Sequence, residues 1–297
     1  MTTGSVMAPR LWLAGARPRT LPAAVVPVAV GTAAVDPANQ GLPIWWRFVA
    51  AMVVSLALQL GTNYVNDYAD GERGTDDGRV GPVRLVGSGL ATARQVKVAA
   101  AASFGLAAVV GAVLALVVGP ELFLVGAVSI VAGWAYTGGP KPYGYLGLGE
   151  LFVFVFFGVV ATVGSAYVQS ESVEWLPVVA SVPVGLLAVA LLVINNLRDI
   201  PGDTESGKRT LAVRLGDGGT RRLYLGLMIG VGLGVVACGL FRPTALIGLV
   251  GLAKAIGPVR SVLGGAAGAQ LIPTLGATGQ AQLITGLLLA VGLALGA

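Results

Sequence analysis

The chain has 297 residues, 55% hydrophobic and 11% charged, with 45 Gly, a formal net charge of +5 and no His. A mean hydropathy of +0.83 excludes a soluble globular protein and predicts an all-α integral membrane protein with a single membrane-embedded domain over residues 1–297. No basic domain stands outside the membrane to bind nucleic acid, Cys238 has no disulfide partner in the chain, and chemistry is left to carboxylates, Lys, Arg and Tyr.

Nine apolar runs approach spanning length, at 20–35, 48–65, 98–118, 122–137, 151–168, 175–197, 223–241, 244–256 and 281–297. They predict nine transmembrane helices. The first is interrupted by Pro22 and Pro27, and the short eighth carries Lys254. Arg10, Arg17 and Arg19 before the first run imitate a signal peptide, but the polytopic chain beyond predicts an ordinary first helix. With the N-terminus inside, only Arg47 and Arg242 of the 19 Lys and Arg fall outside. The positive-inside rule therefore predicts a multi-pass protein of the cell membrane with a cytoplasmic N-terminus. Most of the inner charge orients the chain and faces anionic lipid.

The second run closes on Asn66, Asp67 and Asp70, with Asp76 and Asp77 in the Gly-rich loop beyond. The sixth closes on Arg198, Asp199 and Asp203, followed by Lys208 and Arg209. Four crossings separate these groups, so both emerge on the cytoplasmic face. Carboxylates at a membrane surface are costly unless they face a watery cavity and hold something positive. Mg2+ takes hard oxygen ligands, commonly one or two carboxylates plus phosphate oxygens. Matched acid groups followed by cations therefore suggest divalent metal and a diphosphate. The candidate ligands are Asn66, Asp67, Asp70, Asp199 and Asp203, with Asp76 or Asp77 as a further one.

A weak internal repeat links the two groups. Asn63 precedes Asp67, and Asn195 precedes Asp199, by four residues, which in a helix places amide and carboxylate on one face. Pro201 disfavours helical geometry at Ile200, so Asp199 and Asp203 meet on a continuous face or across a helix break. Between the groups, the Gly- and Pro-rich segment 136–145 forms a tight turn whose only cation is Lys141. Lys141 is a diphosphate contact or a snorkelling side chain. Tyr136, Tyr143 and Tyr145 belong to the site or to an interfacial aromatic belt.

In these residues the chain resembles the UbiA-type intramembrane prenyltransferases. The family's first motif reads Asn-Asp-x-x-Asp-x-x-x-Asp. Asn66, Asp67 and Asp70 match it, whereas its last position is Gly74 here, with Asp76 and Asp77 two and three beyond. The second motif, Asp-x-x-x-Asp, is matched by Asp199 and Asp203. Segments 15–22, 81–87, 136–145 and 195–215 resemble the branch that prenylates 1,4-dihydroxy-2-naphthoate in menaquinone biosynthesis, in an Ala/Val/Gly-rich actinobacterial style.

The resemblance implies nine helices around a central cavity and Mg2+ as cofactor, with Mn2+ substituting. It implies polyprenyl diphosphate and 1,4-dihydroxy-2-naphthoate as substrates, with loss of carbon dioxide and diphosphate. It assigns Asp67, Asp70, Asp199, Asp203 and Lys141 to catalysis, and Arg73, Lys141, Arg198 and Lys208 to the diphosphate. Arg17 or Arg19 would hold the acceptor carboxylate, with Asn63, Tyr136, Tyr143, Asn195 and Asn196 around the substrates. A CDP-alcohol phosphatidyltransferase is disfavoured because the next Asp-x-x-x-Asp lies 129 positions past Asp70. A cation-coupled transporter would hold its acids near mid-membrane. A hydroxybenzoate or homogentisate acceptor is the nearest rival within the family.

Overall fold

A computed structural model describes residues 9–36, 43–74 and 83–297, and those residues are helical with no strand. After a short helix, Pro9–Gly15, the described residues form nine apolar helices in order. They are α1 (Pro22–Ala34), α2 (Trp45–Glu72), α3 (Ala93–Val117), α4 (Glu121–Ala135), α5 (Gly149–Ser170), α6 (Trp175–Glu205), α7 (Leu211–Phe241), α8 (Pro243–Leu263) and α9 (Leu271–Leu295). By length and composition, seven of the described helices can cross a bilayer. The other two, α1 and α4, have 13 and 15 residues. The expected count of nine crossings is therefore supported by length for seven.

Several of these helices outrun the apolar runs that predicted them, and two of them carry the acid groups. α2 continues through Glu72 and carries Asp67 and Asp70 within it. α6 continues through Glu205 with Pro201 inside, so no break separates Asp199 from Asp203. The two acids stand at i and i+4 on one helical face. A proline there removes one backbone bond but does not end the helix, because its C-terminal turn is tied down by a bond from the Ser206 amide to the Gly202 carbonyl at 2.9 Å.

α6 is the central helix: 72% of its apolar window is buried, against 22% for α3 on the periphery. It packs on α7, α5, α1 and α9, while α2 packs mainly on α3. Small residues allow the close crossings on which membrane helices depend. Where α5 crosses α6, a Cβ on Gly158 would lie 2.5 Å from the Gly185 Cα. That contact falls in a π-helical stretch of α5, Phe154–Val160, which faces the cavity described below.

Both cations that the sequence places outside are buried and occupied. Arg47 Nη1 donates to the Val168 carbonyl at 2.9 Å, and its Nη2 pairs with Glu171 at 2.8 Å. Arg242 donates to the Ala33, Leu293 and Val35 carbonyls, each at 2.9 Å, at the ends of α1 and α9. A guanidinium at helix C-termini satisfies carbonyls that lack helical partners and complements the helix dipole. Arg242→Ala is expected to destabilise the detergent-solubilised protein by about 2–3 kcal/mol, read by thermal unfolding, since three carbonyls lose their donor.

Candidate active site

The helices enclose one large cavity of about 960 Å3, within the range of small-molecule sites. Its polar end gathers Asn63, Asn66 and Asp70 from α2, and Asn195, Asn196, Arg198, Asp199 and Asp203 from α6. In α2 the three residues fall at i, i+3 and i+7, one stripe of a helix. The rest of the cavity is mostly apolar, walled by Leu114, Leu122, Val125, Phe156, Phe157 and Val160 among others. Asp70 and Asp199, 129 positions apart in the chain, thus open onto one space.

Asp70 is 5% exposed, accepts a short hydrogen bond from the Tyr145 hydroxyl and lies 3.2 Å from Lys208 Nζ. Burial, and then the Asp70 carboxylate, push the Tyr145 hydroxyl above its usual range, so it remains a donor. Lys208 also sits over the Tyr145 ring, 4.6 Å from its centroid. Asn66 accepts from the Thr137 hydroxyl at 2.6 Å. Asp199 receives a two-pronged bond from Arg198 Nε and Nη2, both at 2.8 Å, while Arg198 Nη1 is buried without a protein partner.

Three expected site residues stand elsewhere. Asp67 does not line the cavity; it is fully buried, and its two oxygens accept from the Leu85 and Val86 amides at 2.9 Å each. The apparent repeat breaks here, because the first acid of the α2 motif is used by the loop that follows. Lys141 is exposed and outside the cavity, since it sits between Pro140 and the buried Pro142 in an extended turn that turns it outward. Arg73 also lies outside: it donates to the Thr137 and Gly139 carbonyls at 2.6 and 2.5 Å and to the Tyr145 hydroxyl at 3.2 Å. Its role is to tie segment 137–145 to the end of α2. Asp76 and Asp77 fall outside the described residues.

The other expected residues meet at the cavity. Arg17, whose φ of 52° is left-handed, and Arg19 both line it. Arg17 Nη2 donates to the Asn63 carbonyl at 3.3 Å, and Asn63 Nδ2 donates to the Ala16 carbonyl at 2.9 Å. Tyr136 and Tyr143 form cavity wall, with Tyr143 edge-on to Tyr136 at 5.5 Å and stacked on Phe152 at 4.0 Å. Asn195 Nδ2 returns to the Leu191 carbonyl at 3.3 Å, and Asn196 Nδ2 donates to Glu150 at 2.8 Å. Sequence reasoning passed over Glu150, whose only signal is an acid opening an apolar run.

Among the described residues, no three His, Cys, Asp or Glu side chains are grouped to hold an ion by themselves. The donor set still suits Mg2+. Asn66, Asp70, Asp199 and Asp203 offer hard oxygens to one cavity, and Mg2+ completes its shell with water and substrate phosphate.

A membrane-embedded helical bundle with two acid motifs on one cavity is the architecture of an intramembrane prenyltransferase. The chain matches the UbiA prenyltransferase family over residues 24–258 and belongs to it. It is 51% identical to "1,4-dihydroxy-2-naphthoate octaprenyltransferase" of Mycobacterium tuberculosis over 288 residues, 96% of this chain and 97% of that one. Its fold is similar to that of a UbiA homolog from Aeropyrum pernix, with TM-score 0.70, 17% identity and 92% and 96% of the two chains covered. A UbiA homolog from Archaeoglobus fulgidus, bound to GPP and Mg2+, aligns with TM-score 0.69 and 15% identity over 95% and 97% of the chains.

Proposed function

We propose that this protein transfers a polyprenyl group from polyprenyl diphosphate to 1,4-dihydroxy-2-naphthoate, with loss of diphosphate and carbon dioxide, in menaquinone biosynthesis. The acceptor follows from the named relative at 51% identity over nearly the whole chain. The observation that carries the chemistry is one large cavity, acidic and basic at one end and mostly apolar along the rest.

Asn66, Asp70, Asp199 and Asp203 would hold Mg2+, with Mn2+ as a substitute; the metal supplies positive charge to the diphosphate as its bond to the prenyl carbon breaks. Lys208 and Arg198 add fixed cations at the same end, where negative charge develops on the leaving group. Arg17 or Arg19, which both line the cavity, would hold the acceptor carboxylate. The apolar walls take the prenyl tail and keep water from the allylic cation. The biased placement of Lys and Arg supports a cell-membrane protein with its polar cavity end cytoplasmic.

The test is an assay in membranes with Mg2+, a polyprenyl diphosphate and two competing acceptors, dihydroxynaphthoate and hydroxybenzoate, with products identified by mass. A prenylated, decarboxylated naphthoate product is expected, and EDTA should abolish its formation. A prenyl-hydroxybenzoate product in its place would overturn the acceptor assignment. Unchanged rates in EDTA would overturn the metal assignment.

A further inference from the structure

Glu150 is a buried acid that the mechanism above does not use. It opens α5, is 7% exposed, and has no basic partner among the described residues. Its Oε1 accepts from Asn196 Nδ2 at 2.8 Å, and its Oε2 is buried without a hydrogen-bond partner. A carboxyl kept in such a place, with half its capacity unmet, costs stability and marks a functional demand.

Asn196 turns its NH2 toward Glu150, the direction that an ionised carboxylate requires. Its carbonyl oxygen is then the end left to the cavity, which Asn196 lines. Asn196 stands three residues before Asp199 in α6, about 4.5 Å deeper along the helix by its rise. That is about one turn below Asp199 and two below Asp203, on the apolar side of the acids that would face the diphosphate. Tyr136, Phe152 and Phe156 line the same stretch of wall.

We propose that Glu150 is a positioning residue that aims the Asn196 carbonyl into the cavity, where it accepts a hydrogen bond from a ring hydroxyl of the aromatic acceptor. The inference rests on the aromatic prenyl transfer proposed above and deepens it by naming the group that reads the acceptor. A hydroxyl held in this way places electron density on the ring at the point of attack. An acceptor whose hydroxyl is methylated leaves the Asn196 oxygen unpaired and should be rejected.

The experiment compares wild type, Glu150→Ala, Glu150→Gln, Asn196→Ala and the Glu150→Ala/Asn196→Ala double variant in membranes with Mg2+. It measures KM for dihydroxynaphthoate and for the polyprenyl diphosphate, and the preference for dihydroxynaphthoate over its monomethyl ethers. Glu150→Ala and Asn196→Ala should each raise the acceptor KM about tenfold, the worth of one good hydrogen bond, and leave the donor KM within about twofold. Both should lose the preference against the ethers, Glu150→Gln should keep it, and the double variant should be no worse than Asn196→Ala.

Wild-type preference retained in Glu150→Ala, equal rises in both KM values, or additive losses in the double variant would overturn the inference. If Glu150→Ala fails to accumulate, Asn196→Ala carries the same test, and retained preference there is equally fatal. A wild type that prenylates hydroxybenzoate but not dihydroxynaphthoate overturns the acceptor assignment alone. The same variants then read the hydroxybenzoate hydroxyl through its methyl ether.

Discussion

Asp199→Ala should cut prenyl transfer about 10²–10³-fold while the protein still accumulates in membranes, the usual loss when one preorganised charge contact to a transition state is removed. Asp199 holds Arg198 by two bonds of 2.8 Å, and Arg198 is 5% exposed at the cavity wall. Removing the carboxylate frees that guanidinium toward the anionic donor. Ground-state binding of polyprenyl diphosphate should therefore persist, so the loss appears in kcat and not as a raised donor KM. The demand for Mg2+ should rise at the same time, because one hard oxygen is gone. Near-normal turnover in Asp199→Ala would remove the second acid motif from the mechanism.

Much of the architecture was legible because lipid simplifies the code. Apolar runs mark the helices, and the placement of Arg and Lys predicts their alternation. The two outer exceptions, Arg47 and Arg242, prove to be buried caps on backbone carbonyls, a use that composition does not display. Helix ends were less legible, because α2 and α6 extend through polar residues that no apolar window includes. Pro201 suggested a break, yet α6 runs through it. At the site, the two acid groups were visible as pairs, but that Asp70 faces the cavity and Asp67 does not depends on the bonds Asp67 accepts from Leu85 and Val86. Lys141 stood out as the lone cation of its turn, whereas Lys208, from beyond α6, is the lysine that reaches Asp70. Glu150 was silent in the sequence because one acid at the start of an apolar run is ordinary.

Asp67 separates a structural reading of the first motif from a metal-binding one. Its carboxylate is fully buried and accepts from two consecutive amides, Leu85 and Val86, at 2.9 Å. Leu85 is itself buried under Gly15, where a Cβ would come 2.6 Å from Leu85 Cδ1. The neighbouring Val83 and Arg84 line the cavity, so Asp67 pegs the segment that closes its polar end. Asp67→Ala leaves both amides buried without an acceptor. The expected cost is about 3 kcal/mol, because bonds to a charged acceptor are roughly twice as strong as neutral ones. Asp67→Asn fares little better, because its NH2 must face one of the two N–H donors. Both variants should unfold earlier in detergent and transfer prenyl groups poorly, yet the molecules that remain folded should need the same Mg2+ concentration for half-maximal rate. A several-fold rise in that concentration, with unchanged thermal stability, would return Asp67 to the metal and overturn the peg.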